Sequence, residues 1–276
     1  MWGIKRFLFC CLCAIAIIAI GNFTHNAYAN TETINWYVDG ETYDTTTCQS
    51  GDDIELPTTP TKKGYTFLGW SPYVPIEYLQ STGTQWFDTG IYLTDKHIIE
   101  TKFIPLDPSV RSNNILFGVR NPIGSNRSSY GVTNGNDIND INIDLYSSVS
   151  EISNARIIFT MTANTIYILH MENGNRSLYN NDGILIAHNT YSTTPFILNW
   201  TAPVFTVKWE SETPRTECGI YKLFYFKIWD QNVLVRDFIP VLDYNGIACM
   251  YDKVTETFFY NAGTGDFIAG PVISGE

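Results

Sequence analysis

Residues Tyr78 to Gly90 read YLQSTGTQWFDTG, and they open the long body of the chain. Ile76–Ser81 and Gln85–Asp88 have the short, apolar-alternating character of strands, set around a turn at Thr82-Gly83. Everything downstream repeats that rhythm. His97–Ile104 alternates well enough for a half-buried strand, and Asn114–Val119 (NILFGV) and Ser129–Val132 follow.

The middle of the chain reads as a ladder of hairpins. Strands are expected at Ala155–Met161, Thr165–Met171, Ser177–Tyr179 and Ile184–Ala187. They are separated by Ala163-Asn164, Glu172-Asn173-Gly174-Asn175 and Asn181-Asp182-Gly183, which supply the positive-φ residues that tight turns require. Phe196–Asn199 and Val204–Trp209 continue the set. GIYKLFYFKIW, Gly219 to Trp229, is apolar on both faces and predicts a central strand covered on each side. VLVRDFIP at Val233–Pro240, a turn at Asn245-Gly246, ACMY at Ala248–Tyr251 and Phe258–Tyr260 complete the body.

Upstream, Lys5 and Arg6 precede an apolar run from Phe7 to Ile20, and Ala27-Tyr28-Ala29 is a small-x-small cleavage site. Together these make residues 1–29 a secretory signal peptide, with an uncleaved membrane anchor as the alternative; the run is short for a spanning helix. After cleavage no stable membrane insertion is expected, and the product is placed outside the cell or on its surface. Cys10, Cys11 and Cys13 leave with the signal. Cys48, Cys218 and Cys249 remain, an odd number, which permits one internal disulfide. Cys218 with Cys249 is the expected pair, and three reduced buried thiols are the alternative.

Composition excludes some classes. Aromatic residues make up 14% of the chain and charged residues only 16%, too apolar for disorder and too rich in Gly, Asn and Thr turns for a helical bundle. The net charge is -11, and Lys5 and Arg6 are the only charges before Asn30, so the secreted product is more acidic still. Nucleic acid and anionic lipid demand a basic face and are not expected partners.

Two stretches carry family resemblances. Residues 31–72 hold an alternating strand, Ile34-Asn35-Trp36-Tyr37-Val38, then short strands around Ile54–Leu56 and Tyr65–Leu68, with Trp36, Tyr65, Phe67 and Trp70 as the candidate core. The spacing of Leu56-Pro57, Pro60, Lys62, Gly64-Tyr65, Phe67 and Gly69-Trp70 resembles the internalin-type B repeat, a small β-grasp-like module, which implies an extracellular spacer or adhesion role. Ser71–Pro75, SPYVP, is a stiff linker. Beyond it, YLQSTGTQWFDTG, ILFGVR at Ile115–Arg120, IWDQNVLVRDFIPV at Ile228–Val241 and MYDKVTETFFYNAGTGDF at Met250–Phe267 resemble the laminin-G-like domains of the concanavalin A-like lectin and glucanase group. That resemblance implies an all-β, antiparallel jelly-roll β-sandwich over residues 76–271, preceded by the β-grasp-like unit. It also implies that the first and last strands of the sandwich are neighbours. It does not choose a ligand, because function on such a fold resides in the site.

The chemistry points to binding rather than catalysis. A glycosidase of this fold needs paired carboxylates on one strand face, and no Glu-x-Asp-x-x-Glu run occurs. His97, His170 and His188 lack metal-ligand spacing, Gly263-Thr264-Gly265 reads as a turn, and Gly-x-Ser-x-Gly is absent. No cofactor is expected. Asp137, Asp140 and Asp144 have oxygen-rich spacing that suits calcium, against a solvated loop as the alternative. Trp86, Trp200 and Trp209 lie at strand ends or beside loops, where an aromatic ring can stack on a sugar; the alternative is that they are core residues, and the closing role of YLQSTGTQWFDTG favours that for Trp86. The expected protein is a secreted, non-enzymatic surface module that recognises a glycan or a surface protein. A structural or protein-interaction scaffold, and then a divergent glycoside hydrolase, are the alternatives.

Overall fold

The structure, a computed structural model, describes residues 24–25, 31–38, 41–49, 54–64, 67, 69–107, 115–120, 129–134, 141–142, 145–146, 159, 161–172, 174–190, 195, 197–209, 211–215 and 218–273. Apart from Thr24–His25, the expected signal segment lies outside the described residues, as does most of Ala155–Met161. The chain forms an all-β protein that divides into two compact units. One comprises residues 1–77, 241–247 and 271–276, and the other residues 78–240 and 248–270.

In the first unit β1 (Thr24–His25), β2 (Thr31–Val38) and β3 (Glu41–Gln49) form a three-stranded antiparallel sheet. Ile34, Trp36 and Trp70 are its buried core, with Val38, Cys48, Ile54 and Phe67 packed against them. The Trp36 and Trp70 rings lie 5.0 Å apart, and Phe67 meets Trp70 edge-on at 5.1 Å. Ile54–Leu56 does not form the expected strand: the Glu55 carbonyl accepts a hydrogen bond from Thr46 Oγ1 instead of a ladder partner. β4 (Val74–Pro75) pairs with Val241 and Leu242.

The second unit begins with β5 (Leu79–Gln80), β6 (Phe87–Thr94), β7 (His97–Pro105), β8 (Phe117–Arg120) and β9 (Ser129–Asn134). Next come β10 (Ile141–Asn142), β11 (Leu145–Tyr146), β12 (Tyr167–Glu172), β13 (Asn175–Asn180), β14 (Leu185–Thr190), β15 (Ile197–Val204) and β16 (Lys208–Trp209). It ends with β17 (Tyr221–Asp230), β18 (Val233–Leu242), β19 (Ala248–Asp252), β20 (Thr257–Phe259) and β21 (Ile268–Ala269). The larger sheet runs β14-β13-β12-β7-β17-β18-β19-β20, with β5 between β17 and β21. The smaller runs β10-β9-β8-β15-β6, with β11 on β9 and β16 on β8. Among the described residues the pairings are antiparallel except the two-residue contact of β16 with β8.

Inward-facing rings join the two sheets into a sandwich. Phe117 of the smaller sheet meets Phe226 of the larger at 5.1 Å, and Phe87 meets Phe238 at 5.4 Å, all four fully buried. Such a ring contributes roughly 1.5–3 kcal/mol by leaving water. Arg236 adds a polar tie: its Nε donates to the Thr89 carbonyl of β6 at 3.0 Å and lies 3.6 Å from Asp252 Oδ2. Asp252 is fully buried and accepts from the amides of Asp237 and Val254 and from Thr255 Oγ1.

β12, β13 and β14 are successive antiparallel neighbours, as their turns predict, and β7 takes the other side of β12. As expected of the opening stretch, β5 pairs with the terminal β21. Three expectations change. Thr82-Gly83 does not join two paired strands, because β5 belongs to the larger sheet and β6 to the smaller. Buried Gln85 turns this corner by taking the Thr82 amide on its Oε1 at 2.8 Å. Residues 197–204 form one strand, ended by Phe205 at φ 71, so Val204–Trp209 is not continuous. The Cys218–Cys249 disulfide is not formed. Cys218 N–H donates to the Gly83 carbonyl, and Cys249 lies inside β19 between β18 and β20.

Removing one partner of a buried, hydrogen-bonded charge costs roughly 3–5 kcal/mol. Asp252→Ala is therefore expected to lower unfolding stability by about that amount, read as a reduced urea midpoint. A midpoint within error of wild type refutes the tie.

Candidate functional site

The outward face of the larger sheet carries a connected set of acidic, basic and aromatic side chains. Its origin is strict alternation. In β7, His97, Ile99, Thr101 and Phe103 point to the core, leaving Ile98, Glu100, Lys102 and Ile104 outward. In β12 the inward set is Tyr167, Leu169 and Met171, leaving Ile168, His170 and Glu172 outward.

β17 departs from this alternation. Leu223 pairs with Phe103 and Tyr225 with Lys102, so Phe224 is an extra residue, a β-bulge. The bulge places Phe224 and Tyr225 side by side on the outward face, with Lys222, Lys227 and Trp229. Among the described residues the expected cover on both faces of this strand is not found. β17 is central, between β7 and β18, and its outward aromatics lie half-buried beneath lysines, with no second layer of strands over them among the described residues. Lys227 Nζ lies 5.4 Å from the Tyr225 ring centroid, Lys102 Nζ 5.4 Å from Phe224, and Lys222 Nζ 4.2 Å from Tyr78.

Directly opposed residues of antiparallel strands share a face, so the register defines rows across the sheet. One row is Asp237, Lys227, Glu100, His170, Ser177 and His188. It crosses six strands, a span of roughly 24 Å at ~4.8 Å per strand. On one side lies the row Tyr225, Lys102, Ile168, Tyr179 and Leu185, and on the other Trp229 and Ile98. A line of hydrogen-bonding groups thus runs between two rims that carry aromatic rings.

Glu100 is the centre of that line. It accepts from Tyr225 Oη at 3.0 Å and sits 3.6 Å from His170 Nδ1, while His170 Nε2 is 3.8 Å from Glu172. Contact with His170, then the Tyr225 hydroxyl, holds the Glu100 carboxyl below its ordinary range against the opposing effect of burial. The same contact raises the His170 imidazole. Burial first, and Glu100 second, push the Tyr225 hydroxyl upward, so it stays a donor. Lys227 spans 3.7 Å to Asp237, which also receives Lys253 at 3.5 Å.

The tryptophans expected to bind a ligand lie elsewhere. Trp200, half-buried, is in β15, and Trp209 ends β16, both in the smaller sheet. Trp86 is half-buried just before β6; its amide donates to Asn261 Oδ1 and its carbonyl accepts from Ala262 N–H. Asp137, Asp140 and Asp144 lie outside the described residues. His97 is a buried histidine whose Nδ1 accepts from the Thr94 amide at 3.0 Å, and burial lowers its imidazole. Sequence reasoning missed Glu100, His170, Tyr225 and Trp229 as a group. The available signal was Lys222 and Lys227 inside GIYKLFYFKIW, since two lysines do not fit a strand buried on both faces.

Comparison with known proteins places part of the chain. Residues 33–94 match the Listeria-Bacteroides repeat domain family. The match begins within the repeat-like unit and runs on through SPYVP and YLQSTGTQWFDTG. No curated protein matches. Among solved structures, a candidate carbohydrate-binding protein from Bacteroides ovatus is similar with a TM-score of 0.42 and 13% identity, over 90% of this chain and 70% of that one.

The His170 shift has a defined sign. A raised imidazole contributes stability that is fully present below its ordinary value of 6.5 and is lost as pH rises through the raised folded value. Because the side chains of His170 and Glu100 are each 33% exposed, the contribution is small, about 1 kcal/mol or less. Thermal melts at pH 6 and pH 8 are expected to show a fall in Tm for wild type that His170→Gln reduces; equal falls in both proteins refute the coupling.

Proposed function

We propose that the chain is a secreted or surface-held binding protein whose larger unit recognises a glycan without catalysis. In this reading residues 1–29 are a signal peptide, residues 31–72 a repeat-type spacer, and residues 76–271 a laminin-G-like jelly roll that presents the binding face. The basic start, apolar run and Ala27-Tyr28-Ala29 site support secretion, and the repeat match at residues 33–94 supports an extracellular setting.

The observation that carries the glycan reading is the polar row flanked by aromatic rims. A sugar presents apolar C–H faces and a periphery of hydroxyls, and a site for it combines aromatic rings with a few placed polar groups. Trp229 on one side, with Tyr225 and Tyr179 on the other, would meet the ring faces. Glu100, His170, Ser177 and Lys227 would exchange hydrogen bonds with the hydroxyls. The row is long enough for an extended saccharide lying across the strands.

The same geometry argues against Glu100 as a general acid. General acid catalysis of glycoside cleavage needs a carboxyl that stays protonated. Glu100 is held in the opposite state by His170 and Tyr225. It suits an acceptor of sugar hydroxyls.

A glycan array on the mature chain tests this reading. Binding to at least one glycan is expected, and Trp229→Ala should weaken it by about tenfold or more, the loss typical of a central aromatic anchor. Trp200→Ala should leave it within twofold while both variants keep the wild-type melting profile. Silence across the array sinks the proposal. Loss with Trp200→Ala but not Trp229→Ala moves the site to the smaller sheet.

A further inference from the structure

Two lysines at one end of the face have no role in the polar row. Lys102 and Lys222 project outward from β7 and β17 on adjacent rows, since Lys222 opposes Ile104 and Lys102 opposes Tyr225. Each ammonium sits over an aromatic ring, Lys222 over Tyr78 and Lys102 over Phe224, and those two rings contact each other edge-on at 6.0 Å. Neither ammonium forms an ion pair with a carboxylate among the described residues, whereas Lys227, Lys208 and Lys253 all do. The aromatic support keeps both side chains laid down on the sheet, so their charge is placed in advance rather than freely sampled.

This arrangement stands out in a chain of net charge -11, where the surrounding field repels anions from most of the surface. A pair of positioned, carboxylate-free ammonium groups beside an aromatic step is complementary to a sugar that bears a negative group. Lysine, a point charge with three donors, suits a carboxylate or sulfate on a saccharide without imposing the fork geometry of arginine.

Resting on the glycan-binding reading above, we infer that the face selects an acidic polysaccharide. One anionic sugar unit is held at Lys102 and Lys222, and the chain of sugars continues along the polar row. The shared chemistry is a monoanionic substituent on a pyranose. Whether it is a uronate carboxylate or a sulfate ester is decided by the arms of the test.

The experiment is affinity gel electrophoresis of the full mature chain with three embedded polymers: polygalacturonate, dextran sulfate and neutral dextran. Retardation by one or both polyanions is expected at 0.15 M NaCl, with dextran retarding little; the polyanion that acts identifies the substituent. Lys102→Gln with Lys222→Gln should weaken the polyanion interaction by about tenfold, as expected for two half-buried charges near the surface. Lys102→Arg with Lys222→Arg should retain most of it. A control pair carrying the same change in net charge, Lys63→Gln with Lys96→Gln, should leave it within twofold. Equal losses from control and test pairs overturn the inference by reducing it to bulk charge. Retardation by dextran that matches the polyanions and ignores the lysines overturns it too, yet leaves a neutral-glycan platform standing. If neither these polymers nor any glycan of the array binds, both readings fall.

Discussion

The larger unit depends on one crossing. Between Ser81 and Trp86 the chain leaves the larger sheet and enters the smaller, and the loop Asn261–Gly265 clasps it there. Asn261 Oδ1 accepts from the amides of Trp86 and Gly263, the Thr264 amide donates to the Thr84 carbonyl, and Asn261 Nδ2 donates to Gly265 O. The approach is so close that a Cβ on Gly263 would stand 2.0 Å from the Thr84 carbonyl oxygen, so glycine is the residue that fits. With this corner fixed, β5 is delivered to β17 and β21, and β6 to β15. The apolar faces of both sheets are then brought together over Phe87, Phe117, Phe226 and Phe238.

The outward face is a by-product of that packing put to a chemical use. Because β7 is paired on both sides and buried on one, each outward side chain is fixed in register with those of its neighbours. The bulge at Phe224 adds one more ring than alternation allows and brings it beneath Lys102 and beside Tyr78. Without the extra residue, Phe224 and Tyr225 would not stand side by side on the same face. The electrostatics follow the same geometry: Glu100, His170 and Lys227 interact because the strands set them opposite each other, although they are far apart in sequence.

Much of the fold was legible from sequence because it rests on local rules. The turns after β13 and β18 were marked by Asn, Asp and Gly residues able to take positive φ. Alternation identified β7, and the length and apolarity of GIYKLFYFKIW identified the central strand. The pairing of the first and last strands followed from family resemblance rather than from spacing. The site was much less legible. An outward row such as Lys227, Glu100 and His170 is written nowhere in the order of residues, and tryptophan, the most visible aromatic, drew attention to Trp86, Trp200 and Trp209. Trp86 is held in the clasp of Asn261, while the rings that meet the lysines are Tyr78, Phe224 and Tyr225.

By itself, then, the sequence determined the all-β class, the hairpin order and a central β17, because periodicity and turn chemistry act over a few residues. The tertiary structure alone decided that Thr82-Gly83 lies at a corner between sheets, that Cys218 and Cys249 remain thiols, and that Glu100, His170 and Tyr225 meet. The physical reason is that a strand's pattern says which side chains share a face, while strand order and register, set by packing of the whole sandwich, say which of them touch. YLQSTGTQWFDTG shows both halves: its residues announce two strands and a turn, and only the distant Asn261–Gly265 loop makes that turn the hinge of the fold.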